Sequence, residues 1–218
     1  LAAANESLRA CGLSAESILS PNAAVLVGVR CLVIGEGEST ALARYLDPAE
    51  EALQFAARDL KLRVPQMRVP IIASRSTQVR NAILRQLAVR PPDMTRSYLT
   101  GWVGENPPFV MITPGIEDGV VGGDSRPISA RVVLRQLMGH ELTHVLTFKD
   151  RRPVAGVSSW LTEGYAEMVG YDLMGSGVTA TNLRGSPQVS AWSWPGTKWA
   201  AGWEYEASWT ICSFIESS

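Results

Sequence analysis

No stretch of this sequence approaches the ~18 uncharged apolar residues that a membrane-spanning helix requires. The nearest, Ala23 to Gly28 (AAVLVG), is far too short. Charge of one sign is also missing: 20 basic residues stand against 21 acidic ones, net −1, with no long run of either. That excludes the basic footprint of a nucleic-acid binder. Cysteine is sparse, and Cys11, Cys31 and Cys212 show no C-x-x-C spacing, which excludes a zinc knuckle or a redox pair of that type. The odd count leaves at least one free thiol or an intermolecular bond, and leaves a Cys11 to Cys31 disulfide open. There is no internal repeat and no low-complexity tract. Charged residues make up only 19%, below the roughly 25% of an average soluble domain. Hydrophobic residues reach 46%, which excludes disorder throughout and provides for a real core. Histidine is scarcest of all. There are two, and both fall inside one five-residue window.

Residues 1 to 24 read as a lead-in segment or short helix, and 25 to 218 as one domain, sheet-rich to about 125 and helical from about 126. Val25 to Ile34 (VLVGVRCLVI) reads as a β-branched strand closed by the Gly-Glu-Gly turn at 35 to 37. Asp47-Pro48-Ala49-Glu50 reads as a helix start, with Asp as N-cap and Pro in the first turn, followed by Ala49, Ala52, Leu53, Ala56 and Leu60 at helical spacing. Arg68 to Ser74 predicts a short strand and Thr77 to Ala88 an amphipathic helix. Ser97 to Val103 and Pro108 to Thr113 predict two more strands. After a glycine-rich loop, helices are expected from about Pro127 to Phe148 and from about Ser159 to Met174. Early strands followed by helices indicate an α+β class with a mostly antiparallel or mixed sheet packed on helices.

The start at Leu1 rather than Met suggests a processed, tagged-and-cut or truncated chain, from which any signal peptide or anchor could have been removed. The compartment stays open, with an exported or cell-surface location slightly favoured over the cytoplasm. A final helix from about Trp203 is still apolar at Ser218, which suggests that the natural protein continues.

Both histidines lie in His140-Glu141-Leu142-Thr143-His144, an H-E-x-x-H sequence within the longer expected helix. Four residues advance an α-helix only about 40° past a full turn, so the two imidazoles face the same way. That arrangement suits two nitrogen ligands on one zinc ion, with Glu141 beside them as a proton acceptor. Glu163 follows His144 after eighteen intervening residues, in Trp160-Leu161-Thr162-Glu163-Gly164-Tyr165-Ala166-Glu167. A break at Pro153 lets this helix return beside the first. Two histidines and one carboxylate leave a fourth position open, the pattern of a catalytic rather than a structural zinc. Glu167 lies one turn beyond Glu163. On spacing alone it reads equally as a solvated carboxylate or as the acceptor that fixes the tautomer of a zinc histidine.

H-E-L-T-H, the eighteen-residue gap and W-L-T-E-G-Y-A-E together resemble the gluzincin metallopeptidases, in particular the branch of membrane-alanyl aminopeptidases and leukotriene hydrolase. The resemblance implies a zincin domain, with a small mixed sheet packed on an active-site helix and a following Glu-bearing helix, in minimal stand-alone form. It implies one Zn2+ per chain, held by His140, His144 and Glu163. It also implies a peptide or protein substrate, cleaved by a zinc-bound water that Glu141 activates as general base. Thermolysin-like members carry a carboxylate matching Glu167 that orients the first zinc histidine.

Tyr205-Glu206-Ala207-Ser208 is similar to the Y-E-K-G of the aminopeptidase branch, whose tyrosine stabilises the tetrahedral intermediate, although the Lys and Gly are replaced. Gly104-Glu105-Asn106-Pro107 resembles the tail of that branch's G-x-M-E-N-P motif, yet a plain inter-strand turn is the better reading of Glu105. Five of seven tryptophans lie between Trp192 and Trp209, as a satellite aromatic core or a wall of the cleft. The segment Phe109 to Thr113 reads as an edge strand able to pair with an extended peptide. Two rival readings stay open: a zinc-binding domain with a binding or sensory role and little turnover, and a zinc hydrolase of a non-peptide substrate.

Overall fold

Alternation inside the apolar runs decides how the layers form. The computed structural model describes residues 2–19, 22–86, 98–101, 108–115, 118, 128–147 and 159–174. These form helices α1 (Ala2–Ala10) and α2 (Ala15–Ile18), strands β1 (Ala23–Val27) and β2 (Cys31–Glu36), helix α3 (Ser39–Asp59), strand β3 (Val69–Ala73) and helix α4 (Thr77–Gln86). Strands β4 (Tyr98–Gly101) and β5 (Phe109–Ile112) follow, then helices α5 (Ala130–Thr147) and α6 (Ser159–Met174).

The five strands make one mixed sheet in the order β1-β2-β3-β5-β4. β2, β3 and β5 are parallel neighbours, and β1 and β4 close the two sides antiparallel. Cys31, Val33, Val69, Ile71, Val110 and Ile112 point to one face, where α3, α5 and α6 pack. Leu32, Ile34, Ile72, Phe109 and Met111 point to the other, against α1, α2 and α4. The central strands are therefore buried on both faces, which is why they read as continuous apolar runs rather than alternating ones. The mixed α+β expectation holds, with helices on both faces of the sheet. Ala4, Leu8, Cys11, Leu13 and Ile18 of the N-terminal helices belong to this second core.

Three expectations are corrected. The run Val25 to Ile34 is not one strand but parts of two, β1 and β2, folded back on each other with Val27 opposite Leu32. Glu50 of α3 makes the hairpin: its Oε1 accepts the N–H groups of Arg30 at 2.7 Å and Cys31 at 2.8 Å. Gly28 leaves room for that carboxylate, which a Cβ there would meet at 2.4 Å. Secondly, α3 begins at Ser39, and Pro48 lies inside it. An interior proline costs a helix about 3 kcal/mol. The stripe Leu42, Tyr45, Leu46, Ala49, Leu53 and Ala56 runs buried straight through it, and its burial outweighs that cost. Lastly, β5 is not an edge. It pairs with β3 on one side and β4 on the other, so the outer strand beside it is β4.

Cys11 and Cys31 are buried, free thiols on opposite faces of the sheet, and burial pushes the Cys11 thiol up to about 12. Cys212 lies outside the described residues. No helix among the described residues is long and apolar enough to cross a membrane.

Candidate metal centre

Helix α5 packs between α3 and α6, and from Leu137 to Leu146 every residue is buried. A helix buried all round must account for each polar side chain it carries. Thr143 returns its hydroxyl to the Gly139 carbonyl at 2.7 Å. His140, Glu141 and His144 are the charged or titratable members, 6%, 4% and 4% exposed. Two cross-links fix the helices around them. Arg135 of α5 pairs with Glu51 of α3, and Tyr165 of α6 donates its hydroxyl to Asp59 of α3 at 2.6 Å.

The tertiary fold brings Glu163 to both histidines. His140 Nε2 and His144 Nε2 lie 3.1 Å apart, and Glu163 Oε2 is 3.3 Å from each. Three ligands bound to one tetrahedral zinc at about 2.0–2.1 Å would stand roughly 3.3–3.4 Å from one another. The triangle matches that spacing. Its chemistry agrees, because two imidazole nitrogens and a carboxylate oxygen aimed at one point suit a shared cation. Glu167 turns to the far side of the first ligand, its Oε2 accepting the His140 Nδ1–H at 2.8 Å.

Electrostatics run the same way. Burial favours neutral His140, yet hydrogen bonds to Glu163 and Glu167 and the nearby charge of Glu141 outweigh it and hold its pKa well above the usual value. Burial likewise opposes ionisation of Glu163, but hydrogen bonds from His140 and His144 hold its carboxyl well below the usual range. The pocket is built to keep positive charge beside an ionised carboxylate, and a metal cation meets the same demand by displacing the proton.

The expected ligands His140, His144 and Glu163 thus meet, Glu141 is buried beside them, and Glu167 contacts the first histidine. Tyr205, Glu105 and the tryptophans from Trp192 to Trp209 lie outside the described residues. Sequence reasoning passed over Gln136, which donates to Glu167 at 3.2 Å, and the glycines Gly139 and Gly170 at the α5–α6 crossing. One signal was available for Gln136: it precedes His140 by the same four residues that separate the histidines.

The chain matches no protein-family model and no curated protein. Fold and site together define a mixed α+β protein with a buried His140/His144/Glu163 group close enough to hold a metal ion.

Proposed function

We propose that the chain is a zinc-dependent metallopeptidase of gluzincin type. The observation that carries this reading is the triangle of His140, His144 and Glu163, with Glu141 buried on the same helix as the two histidines. The N,N,O donor set at tetrahedral spacing favours zinc among divalent ions. When bound, such an ion would supply Lewis acidity that polarises a carbonyl and makes water a nucleophile near neutral pH.

The chain's own residues provide the rest. Glu141, adjacent in sequence to His140, takes a proton from the attacking water and delivers it to the leaving amine nitrogen as the C–N bond breaks. Tyr205 is assigned as the hydroxyl donor to the developing oxyanion. β4 packs beside α5 and is the outer strand of the sheet among the described residues, so its outer side is the place where an extended peptide could pair. β5, paired on both sides, is not open to such pairing. His140, Glu141 and His144 are themselves buried, which strengthens the charge interactions among them.

Turnover of a mixed peptide library, followed by mass spectrometry, tests the reading. Cleavage by the zinc-loaded chain, abolished by a chelator and restored by zinc, is the expected result. Stoichiometric zinc with no cleavage of any peptide would reject the peptidase and leave a metal-binding domain.

A further inference from the structure

Gln136, His140 and His144 share one face of α5 at four-residue intervals. On α6, Glu163, Glu167 and Gly170 follow one another at successive turns. The two rows meet in a short chain of hydrogen bonds. Gln136 Nε2 donates to Glu167 Oε1 at 3.2 Å, and the other oxygen of that carboxylate accepts the His140 Nδ1–H at 2.8 Å. The carboxylate oxygens accept here, with Gln136 presenting its NH2 and His140 its Nδ1–H. With the proton on Nδ1, the Nε2 lone pair is left for the point shared with His144 and Glu163.

Gln136 is itself held in place. A Cβ on Gly170 would lie 2.7 Å from the Gln136 carbonyl oxygen and 3.4 Å from its Cγ, so the bare backbone at 170 is what lets Gln136 lie against α6. The Glu167 side chain is only 12% exposed, so a lost protein donor is not freely replaced by bulk water. Without Gln136 the carboxylate could turn about its terminal torsion or swing inward to compete as a ligand.

We propose that Gln136 is a positioning residue of the metal centre: it fixes the Glu167 carboxylate in the orientation that keeps His140 Nε2 turned toward the ion. This rests on the metal-binding reading of His140, His144 and Glu163.

The test uses the full chain and three readouts: zinc affinity by competition with a chromophoric chelator, the visible spectrum of the cobalt-loaded protein, and thermal unfolding after chelation. Gln136→Met keeps length and removes the donor. It should weaken zinc binding about tenfold, the lower end of what loss of such an outer partner does, and alter the cobalt spectrum. Unfolding of the chelated protein should hardly move. In a Glu167→Ala background the same substitution should change neither metal readout, because the carboxylate through which Gln136 acts is absent. Wild-type affinity and spectrum in Gln136→Met would overturn the proposal, as would an equal loss in both backgrounds, which would mark a packing effect. Should Gln136→Met not fold, Gln136→Glu preserves size and sets like charges together, and should lower affinity by more than tenfold; unchanged affinity there overturns the proposal. Failure of the wild-type chain to take up zinc or cobalt would instead reject the metal centre itself, and this inference with it.

Discussion

Gly139 and Gly170 lie back to back where α5 crosses α6: a methyl group on Gly139 would stand 2.9 Å from the Gly170 Cα and 2.7 Å from Leu173 Cδ1. Backbone meets backbone at this point, so a larger residue cannot be absorbed by turning a side chain. The crossing also sets how far Glu163 reaches toward the histidines. Gly170→Ala should therefore destabilise the fold by about 1–3 kcal/mol, the usual cost of overpacking, and weaken metal binding as the helices part. Thermal unfolding with and without chelator separates the two effects. Wild-type stability in this variant would show that the crossing has slack.

Metal content is the second prediction. The purified chain should hold about one equivalent of zinc through its three protein ligands, and His144→Ala should lose most of it. Zinc at a hundred times its dissociation constant should stabilise the folded chain by about 2.7 kcal/mol. Elemental analysis and unfolding curves check both. Equal zinc in wild type and His144→Ala would remove the site.

Glu141→Gln separates the base from the ligands. The substitution keeps shape and leaves His140, His144 and Glu163 intact, but the amide cannot accept the water proton. Zinc should be retained while peptide cleavage falls by about 10² or more. Cleavage at the wild-type rate would reject Glu141 as the base.

Tyr205 and Glu105 test the details carried by the family resemblance. A hydroxyl that serves the oxyanion acts mainly in the transition state. Tyr205→Phe should then lower kcat and kcat/KM together by roughly 10²–10³ with KM little changed. A change confined to KM would make Tyr205 a wall of the cleft. Glu105→Gln, compared on free and N-acetylated forms of one peptide, should make little difference, because the motif around it is degraded. Selective loss on the free-amine peptide would instead make the chain an aminopeptidase.

Much of the architecture could be read ahead of the structure, and the misreadings have definite causes. The helices α5 and α6 fall almost where expected, from about Pro127 to Phe148 and from about Ser159 to Met174, because helix formation by such runs is largely a local property. β1 and β2 read as one strand because a β-branched run carries no mark of a reversal whose turn is capped from outside, by Glu50 on another element. The start of α3 at Ser39 rather than Asp47 has a related reason. Asp47-Pro48 is a strong local start signal, and the burial that overrides it comes from strands and helices distant in sequence.

What the sequence determined by itself is the pairing of His140 with His144 and the place of Glu141 beside them. The i,i+4 spacing of His140 and His144 is a property of any α-helix, and the adjacency of Glu141 needs no fold to interpret it. What only the tertiary structure decided is the meeting of the parts. It set Glu163 Oε2 equidistant from the two imidazoles, put β4 rather than β5 on the outside of the sheet, and joined Gln136 to Glu167. Those outcomes depend on how closely two helices can approach and in which order strands pair. Both are settled by long-range packing, here the contact of one glycine backbone with another at Gly139 and Gly170, which no local pattern in the chain encodes.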